Sequence, residues 1–338
     1  VAENEILSAI DDSFGDQNTV VILANFLNDS SEPMTPEEIR GIMFNDSDSL
    51  DAYYREASFS NVSFSGQVYG WYTMPINATC INSSIFFNAV SVADQDVYFP
   101  PYSRVVIVHP QVDGCGFGGA GTIGQSSFGT DDGWTVASKA WINRDWTDRQ
   151  IFRHTIVHEL GHNLGLNHAK GYECSNDVVN GDCSIVPYAD EYDVMGHGVY
   201  HFNAPHKEYL EWLNSDSIET VTTSGIYTIE PIESISSGKK SLKVPKEFDE
   251  FGNALKWYYL EYRQPLGFDS TILSDPAVSP TAVDGVLVHF NPETTLSNTT
   301  LLLDMTVSDA WTDVALTTGT TYTDSSSCVS FTPIARTP

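Results

Sequence analysis

The chain has 338 residues, of which 41% are hydrophobic, so it is long enough for one large domain or two ordinary domains with full cores. Its 45 acidic and 16 basic side chains give a formal net charge of -29, which repels phosphate backbones and anionic lipid surfaces. We therefore expect no nucleic-acid partner. No apolar run approaches the roughly 20 residues that cross a bilayer, so we expect no membrane insertion.

The first part of the chain mixes predicted strands and helices. Residues 19–27, TVVILANFL, are typical of a buried strand, and residues 104–110 contain a short continuous apolar strand that ends at a proline. Residues 35–44 and 47–58 begin with Thr or with Ser and Asp, and their spacing predicts two helices. Residues 61–74 alternate apolar and polar side chains like a half-buried strand. This mixture predicts an α+β fold.

After about residue 216 the sequence pattern changes to runs of residues that favour β-strands. Such runs, separated by Gly, Pro, Asn and Asp turns, occupy residues 224–232, 256–265, 284–292 and 300–307. The pattern is typical of an antiparallel β-sandwich or jelly roll. We place the boundary between residues 214 and 218, after the amphipathic segment 205–214. The predicted domains are therefore residues 1–215 and 216–338.

Five cysteines are sparse and unevenly placed. Cys174 and Cys183 flank the Asn/Gly/Asp-rich loop CSNDVVNGDC, where a bridge would hold a segment with little core of its own. Cys80 with Cys115 is the next predicted pair, which leaves Cys328 unpaired. These bridges, the Lys-poor surface and a chain that does not begin with Met predict a processed, secreted protein. The alternative is a cytosolic protein with reduced thiols.

The segment HELGHNLGLNH concentrates residues that bind metals. His158 and His162 are four residues apart, which places both imidazoles on one face of a helix. Gly165 allows the helix to end in a left-handed conformation, so that His168 returns a third nitrogen to the same ion. Three neutral imidazoles leave one position of a tetrahedral zinc ion open to water, and Glu159 is placed to accept a proton from that water. This pattern predicts one catalytic zinc ion and a general base.

Two other interpretations of this segment are possible. The first is an amphipathic core helix that contains histidines by chance. The second uses His154, because His154, His158 and His162 all fall on one helical stripe. Three ligands spread over two turns cannot all reach one tetrahedral ion, however. We therefore expect His154 to be buried on the helix face or to contact a ligand.

The segment fits the HExxHxxGxxH signature, so the chain resembles the metzincin zinc peptidases. Metzincins carry a methionine in a turn beneath the metal, and EYDVMGHG supplies Met195, which is followed by Gly196 and Gly198. The alternative is an ordinary core methionine. In astacin-like and serralysin-like relatives a Tyr stands two residues after the Met, whereas this chain has His197. The resemblance therefore leaves open whether His197, Tyr200 or His201 stabilises the oxyanion.

Among metzincins the chain is most similar to the gametolysin peptidase family. The resemblance covers most of the chain and rests on LDAYYREASFSNVSFSGQVYGWY, CGFGGAGTIG, EYDVMG, HFNAPHKEYLEWL, YYLEYRQPLGFD and LLLDMT. It implies a secreted zinc endopeptidase that cuts extended polypeptides of extracellular matrix or cell-wall glycoproteins. It also implies a mixed twisted sheet with a long active-site helix, followed by a β-rich domain.

In metzincins the edge strand of the sheet, ahead of the active-site helix, binds the substrate backbone. The resemblance makes residues 133–143 the candidate for this strand, and the alternative is that they form an internal strand. The acidic clusters at residues 44–51 and 129–133 contain the oxygen ligands that Ca²⁺ prefers. Helix capping and solvated turns explain the same residues.

Two rival functions remain open. A zinc amidase that acts on peptidoglycan belongs to the same class of enzyme. A catalytically idle module that binds glycoproteins through its C-terminal domain belongs to a different class. The intact Glu159 argues against the second rival, because loss of the base is the usual mark of an inactive zinc protease.

Overall fold

The computed structural model describes residues 13–144, 148–276, 278, 280–291, 299–307 and 313–336. The chain divides into two compact units, one as far as Leu166 and the other from Asn167 onward. Both contain strands and helices, so the predicted α+β class is confirmed. Within the described ranges, no helix is long and apolar enough to cross a membrane.

The first unit contains a sheet and several helices. Its elements are β1 (Gly15–Phe26), α1 (Pro36–Arg40), a π-helical turn (Gly41–Asn45), α2 (Leu50–Ala57), β2 (Val62–Met74), α3 (Asn82–Ala93), β3 (Arg104–Val108), β4 (Gly119–Gly121), β5 (Ser126–Thr130), β6 (Gly133–Ile142) and α4 (Arg149–Asn163). The predictions of strands at 19–27, 61–74 and 104–110 are confirmed. Both predicted helices are present, and the side chains of Thr35 and Ser49 cap them.

The strand order in this sheet is β2-β1-β3-β6-β4, and β5 also pairs with β6. Strands β1, β2, β3 and β6 run parallel, whereas β4 and β5 run antiparallel to β6. The prediction that residues 133–143 form the edge strand is therefore wrong. Residues 140–142 pair with β3 on one side and with β4 on the other. On this side the sheet ends in β4, a run of Gly and Ala without the side chains that indicate a strand in a sequence, and β2 is the opposite edge.

Helix α4 is fixed to the sheet by a buried arginine. The Arg104 guanidinium of β3 donates hydrogen bonds to the backbone oxygen of Asn163 at 3.2 Å and to Ser138 Oγ at 2.9 Å. A positive charge at the C-terminal end of a helix is stabilised by the helix dipole. The Tyr54 hydroxyl of α2 also donates to the backbone oxygen of Val157 at 2.8 Å. These bonds hold the helix that carries the HExxH residues.

The second unit is β-rich, as predicted. Its elements are β7 (Ala169–Ser175), β8 (Asp182–Val186), α5 (Ala204–Tyr209), β9 (Ile218–Thr220), β10 (Ser241–Phe248), β11 (Ala254–Glu261), short 3-10 turns (Gly267–Asp269 and Pro280–Val283), β12 (Gly285–Asn291), β13 (Thr300–Leu303), β14 (Leu316–Thr317), β15 (Tyr322–Asp324) and β16 (Val329–Phe331). An eight-stranded sheet has the order β8-β7-β13-β12-β11-β10-β9, with β14 on β12, and β15 pairs with β16. A sandwich of two stacked sheets and the boundary near residue 215 remain predictions.

The predicted strand at residues 224–232 is wrong. This segment is irregular and makes isolated backbone bonds, from the Glu230 amide to the Lys239 oxygen at 2.7 Å and from the Ile232 amide to the Tyr262 oxygen at 2.9 Å. Ile226 is 84% exposed, so the alternation of apolar residues does not correspond to a buried face. Pro231 also lacks the amide that a central strand needs.

Both predicted disulfides are present. Cys80 is bonded to Cys115 and Cys174 to Cys183, and Cys328 is free and exposed. The second bridge joins residues directly opposite each other on β7 and β8. It therefore closes the Asn/Gly/Asp-rich loop between these two cysteines. Disulfides persist in oxidising compartments, so the two bridges fit an extracellular protein.

Candidate metal centre

Helix α4 ends in the left-handed turn predicted at Gly165. The Gly165 amide donates to the His162 oxygen at 2.9 Å, and the Leu166 amide donates to the Gly161 oxygen at 3.1 Å. This pair of bonds is a Schellman motif. Gly165 has φ of 102°, a conformation that other residues rarely adopt. The turn reverses the chain immediately after the second histidine of the helix.

The turn brings together three imidazoles from one continuous segment, residues 158–168. One ring nitrogen from each of His158, His162 and His168 lies within 4.8 Å of the other two. In the described part of the chain, no other group of three His, Cys, Asp or Glu side chains meets this condition. His154 lies one turn earlier, with its ring centroid 6.1 Å from that of His158. It is outside the group, as the helical spacing predicts.

His162 is held in one orientation by its own chain. Its Nδ1 lies 2.7 Å from the backbone oxygen of Leu166. A carbonyl oxygen only accepts hydrogen bonds, so Nδ1 carries the proton and Nε2 keeps its lone pair for a metal. Such outer hydrogen bonds fix the tautomer and direction of metal-binding histidines. Three imidazoles arranged in this way fit zinc or another divalent transition metal.

The side chain of Glu159 on α4 is buried against the edge strand β4. Its side chain is 5% exposed, and a Cβ added at Gly119 would lie 2.4 Å from Glu159 Oε1. A Cβ at Gly121 would lie 2.4 Å from the backbone oxygen of Glu159. Burial raises the pKa of Glu159 to about 8, and the positive charge of Arg144 acts in the opposite direction. The glycines of β4 therefore allow the edge strand to approach this carboxylate closely.

The third histidine is followed by a strand that is bonded to the predicted methionine turn. The Ala169 amide, next to His168, donates to the Met195 oxygen at 3.0 Å. The Met195 amide in turn donates to Asp193 Oδ1 at 2.6 Å, and Met195 is fully buried. A Cβ at Gly196 would lie 2.0 Å from the Asp190 oxygen. The tight turn therefore requires the glycine after the methionine.

Tyr188, which no sequence motif indicated, lies between the rings of His168 and His197. The Tyr188 ring is 4.1 Å from the His168 ring and is stacked on the His197 ring at 5.5 Å. Tyr188 has φ of 59°, which is unusual for a residue other than glycine. It falls outside every recognised motif, and only the fold places it beside His168.

The three candidates for the oxyanion role have different surroundings. His197 is 62% exposed, and its Nδ1 lies 3.4 Å from Glu191 Oε1. Tyr200 is buried, and its hydroxyl donates to Asp275 at 2.8 Å. His201 is buried, with its Nδ1 3.1 Å from Lys207 Nζ. Of these three side chains, His197 is the one that solvent or a substrate reaches.

The candidate calcium residues have other partners. Asp46 and Asp48 form ion pairs with Arg149, and Asp48 also pairs with Arg153 at 3.5 Å. Asp131 donates its amide to Asp94 at 2.7 Å. Helix capping and solvated turns are the alternative explanation of these residues; the structure adds ion pairs to it, and calcium binding remains a prediction.

The comparisons with known proteins agree with the site. The family profile described as Gametolysin peptidase M11 matches residues 18–300. Serralysin G of Dickeya chrysanthemi is 33% identical over 113 residues, which cover 28% of this chain and 24% of that protein. The chain thus spans about a quarter of the length of this curated relative. The histidine cluster that could hold a metal ion, on an α+β fold, agrees with these similarities. The chain belongs to the gametolysin peptidase M11 family.

Proposed function

We propose that this chain is a secreted zinc endopeptidase with a metzincin-like catalytic domain, and that Glu159 is its general base. The observation that carries the proposal is the convergence of His158, His162 and His168, with Glu159 following the first of them. When bound, zinc supplies a Lewis acid that polarises a carbonyl and lowers the pKa of water. A neighbouring cation also favours the ionised form of Glu159, which a base requires.

Glu159 has the surroundings of a proton carrier. Its carboxylate is nearly buried, so little water competes for the proton. In the proposed reaction it accepts a proton from the water that attacks the scissile carbonyl, and then passes this proton to the leaving nitrogen. The three imidazoles hold the metal, and the Nδ1 bond of His162 fixes one of them. His197 is proposed as a donor to the oxyanion, because it is the exposed candidate.

Strand β4 is the proposed binding surface for the substrate backbone. It is the edge strand of the first sheet that lies next to α4, and edge strands carry backbone groups that a further strand can pair with. Its glycines lie against Glu159, so a peptide bound along β4 passes beside the base. Pairing through backbone groups suits extended polypeptides of varied sequence, such as extracellular matrix or cell-wall glycoproteins.

The proposal is tested by incubating the protein with casein, with gelatin and with a purified muropeptide. We expect cleavage of the proteins, loss of activity with a chelator and recovery with zinc. Cleavage of the muropeptide alone would favour the peptidoglycan amidase. Failure of the zinc-loaded protein to cleave any of the three would favour the idle adhesion module.

A further inference from the structure

A cleft of about 520 Å³ lies beside the edge strand in the first unit. Its lining includes Gln111, Phe117, Gly118, Asn143, Arg144 and Ile151. Asp148 also lines it, but the carboxylate of Asp148 accepts hydrogen bonds from two backbone amides at the start of α4. The cleft therefore combines amide side chains, apolar surface and one exposed arginine.

The Arg144 guanidinium is mostly available for a ligand. Its Nε donates to Thr155 Oγ1 at 3.2 Å, which uses one of its five N–H donors. A Cβ at Gly118 would lie 2.3 Å from Arg144 Nε, so the guanidinium lies directly against the chain that leads into β4. Among the described residues, no carboxylate oxygen forms an ion pair with it within 4.0 Å, and its charge acts on the nearby Glu159 by lowering the pKa of that carboxyl.

Within the described residues, Arg144 differs from the other arginines of the first unit because it is exposed and forms no ion pair within 4.0 Å. Arg104 is fully buried, and the remaining four each lie within 4.0 Å of an acidic side chain: Arg40 with Glu37, Arg55 with Asp51, Arg149 with Asp46 and Arg153 with Asp48. In a chain with 45 acidic residues, an exposed arginine without such a partner is suited to a carboxylate from elsewhere.

The cleft adjoins the proposed base. Thr155, which accepts from Arg144, lies one turn before Glu159 on α4. A Cβ at Gly119 would meet both Thr155 Cγ2 at 2.7 Å and Glu159 Oε1 at 2.4 Å. Gly118 lies against the Arg144 side chain and Gly119 lies against the Glu159 side chain. Arg144 and Glu159 therefore contact successive residues of the same segment. A peptide bound along β4 thus brings a side chain within reach of the cleft.

We propose that this cleft is a substrate subsite in which Arg144 binds the carboxylate of an Asp or Glu side chain close to the scissile bond. The inference rests on the proposed endopeptidase function and adds a specificity to it. An arginine forms two parallel hydrogen bonds with a carboxylate, whereas a neutral amide cannot replace both. The net charge of -29 disfavours acidic peptides in general, so a preference for acid at a single position must arise locally.

The test uses peptide pairs that differ only by Glu or Gln at one position on either side of the bond that is cut. We expect kcat/KM to favour Glu by about 10-fold or more at one position, the discrimination given by a charged hydrogen bond. Arg144→Gln is expected to reduce that ratio to about 1, and Arg144→Glu to shift the preference to Lys. Arg149→Gln is the matched control, because this arginine lies outside the cleft, and it should retain the preference.

A second measurement separates this inference from the proposed function. Fluorescence anisotropy gives the affinities of the same labelled peptides for the Glu159→Gln protein, which is not expected to cut them. If the Glu peptide binds more tightly than the Gln peptide, and Arg144→Gln abolishes this difference, the subsite is supported even if the wild type proves to be inactive. The subsite proposal is overturned if the Glu and Gln peptides bind with equal affinity at every position. It is also overturned if the preference for Glu persists in folded Arg144→Gln. Thermal melting establishes that each variant is folded.

Discussion

The Nδ1 atom of His162 donates a hydrogen bond to the backbone oxygen of Leu166 over 2.7 Å. Leu166 follows Gly165, the glycine whose left-handed conformation ends helix α4. The orientation of the second proposed metal ligand therefore depends on the turn that also returns His168. One backbone geometry thus controls two of the three ligands.

Replacing Gly165 by alanine is expected to weaken metal binding. A residue with a Cβ is destabilised by roughly 1–2 kcal/mol in the left-handed conformation. We expect the backbone of the variant to relax away from this conformation, which moves the Leu166 oxygen and His168. We expect zinc affinity to fall by about 10- to 100-fold, as for loss of an outer hydrogen bond to a ligand. Competition with a chromophoric chelator measures it.

Gly252→Ala is the control for this prediction. Gly252 has φ of 86°, and a Cβ added there meets nothing within 4 Å. The control should lose similar stability and keep its zinc affinity. Equal zinc affinity in Gly165→Ala and the wild type would show that the turn does not position the ligands.

The choice of the third ligand is tested by a pair of alanine variants. His168→Ala removes one of the three converging nitrogens, so we expect it to lose stoichiometric zinc and protein hydrolysis. His154→Ala should keep both, because His154 lies outside the group. Elemental analysis of dialysed, zinc-loaded protein gives the metal content. Retention of zinc by His168→Ala together with its loss in His154→Ala would favour the helical triad instead.

The close approach of β4 to α4 is tested at Gly121. An alanine there would place its Cβ 2.4 Å from the Glu159 oxygen and 2.9 Å from His162 Cβ, so the edge strand must move. We expect the free energy of unfolding of Gly121→Ala to fall by about 1–3 kcal/mol. We also expect the rate of hydrolysis to fall even under conditions in which the variant is fully folded. Gly129→Ala on β5, which meets nothing within 4 Å, should behave like the wild type. Urea unfolding and casein cleavage measure the two effects, and no difference between the variants contradicts the predicted crowding.

A buried carboxylate in the second unit predicts sensitivity to acid. Burial by itself raises the pKa of Asp324, but hydrogen bonds from Lys246 at 2.6 Å, Ser326 at 2.6 Å and Tyr258 at 2.8 Å outweigh it and hold the pKa below its ordinary value. A folded pKa below the unfolded value of about 4 gives stability that is present above pH 4 and is lost as the pH falls below it.

Asp324→Asn is therefore expected to lose on the order of 3 kcal/mol at pH 7, because Lys246 is left buried without its partner. Its stability should also change less than that of the wild type between about pH 4 and pH 2. Urea unfolding at several pH values measures both effects, with Asp216→Asn at an exposed position as the control. A wild-type pH profile in Asp324→Asn contradicts this account.

The features that could be predicted from the sequence are those with a local signal. Residues 20–24 and 105–108 are uninterrupted apolar runs, and the histidine segment contains its candidate ligands and its turn within a few residues. The edge strand β4 has no such signal, because it is defined by its partner β6 and its glycines are needed for contact with α4. Periodicity alone misassigned residues 224–232, where no neighbouring strand forms a ladder. Tyr188 reaches His168 only through the fold.

The most direct test of the proposed function is Glu159→Gln, which removes the base and changes side-chain shape and volume very little. Zinc affinity depends on three imidazoles, whereas proton transfer depends on a carboxylate outside the ligand set. We expect the variant to fold and bind one zinc ion per chain while casein hydrolysis falls by on the order of 10² or more, or at least about 3 kcal/mol of transition-state stabilisation. Glu250→Gln, at an exposed position, should keep both properties. Hydrolysis by zinc-loaded Glu159→Gln at a rate near that of the wild type would contradict the account and place the general base elsewhere.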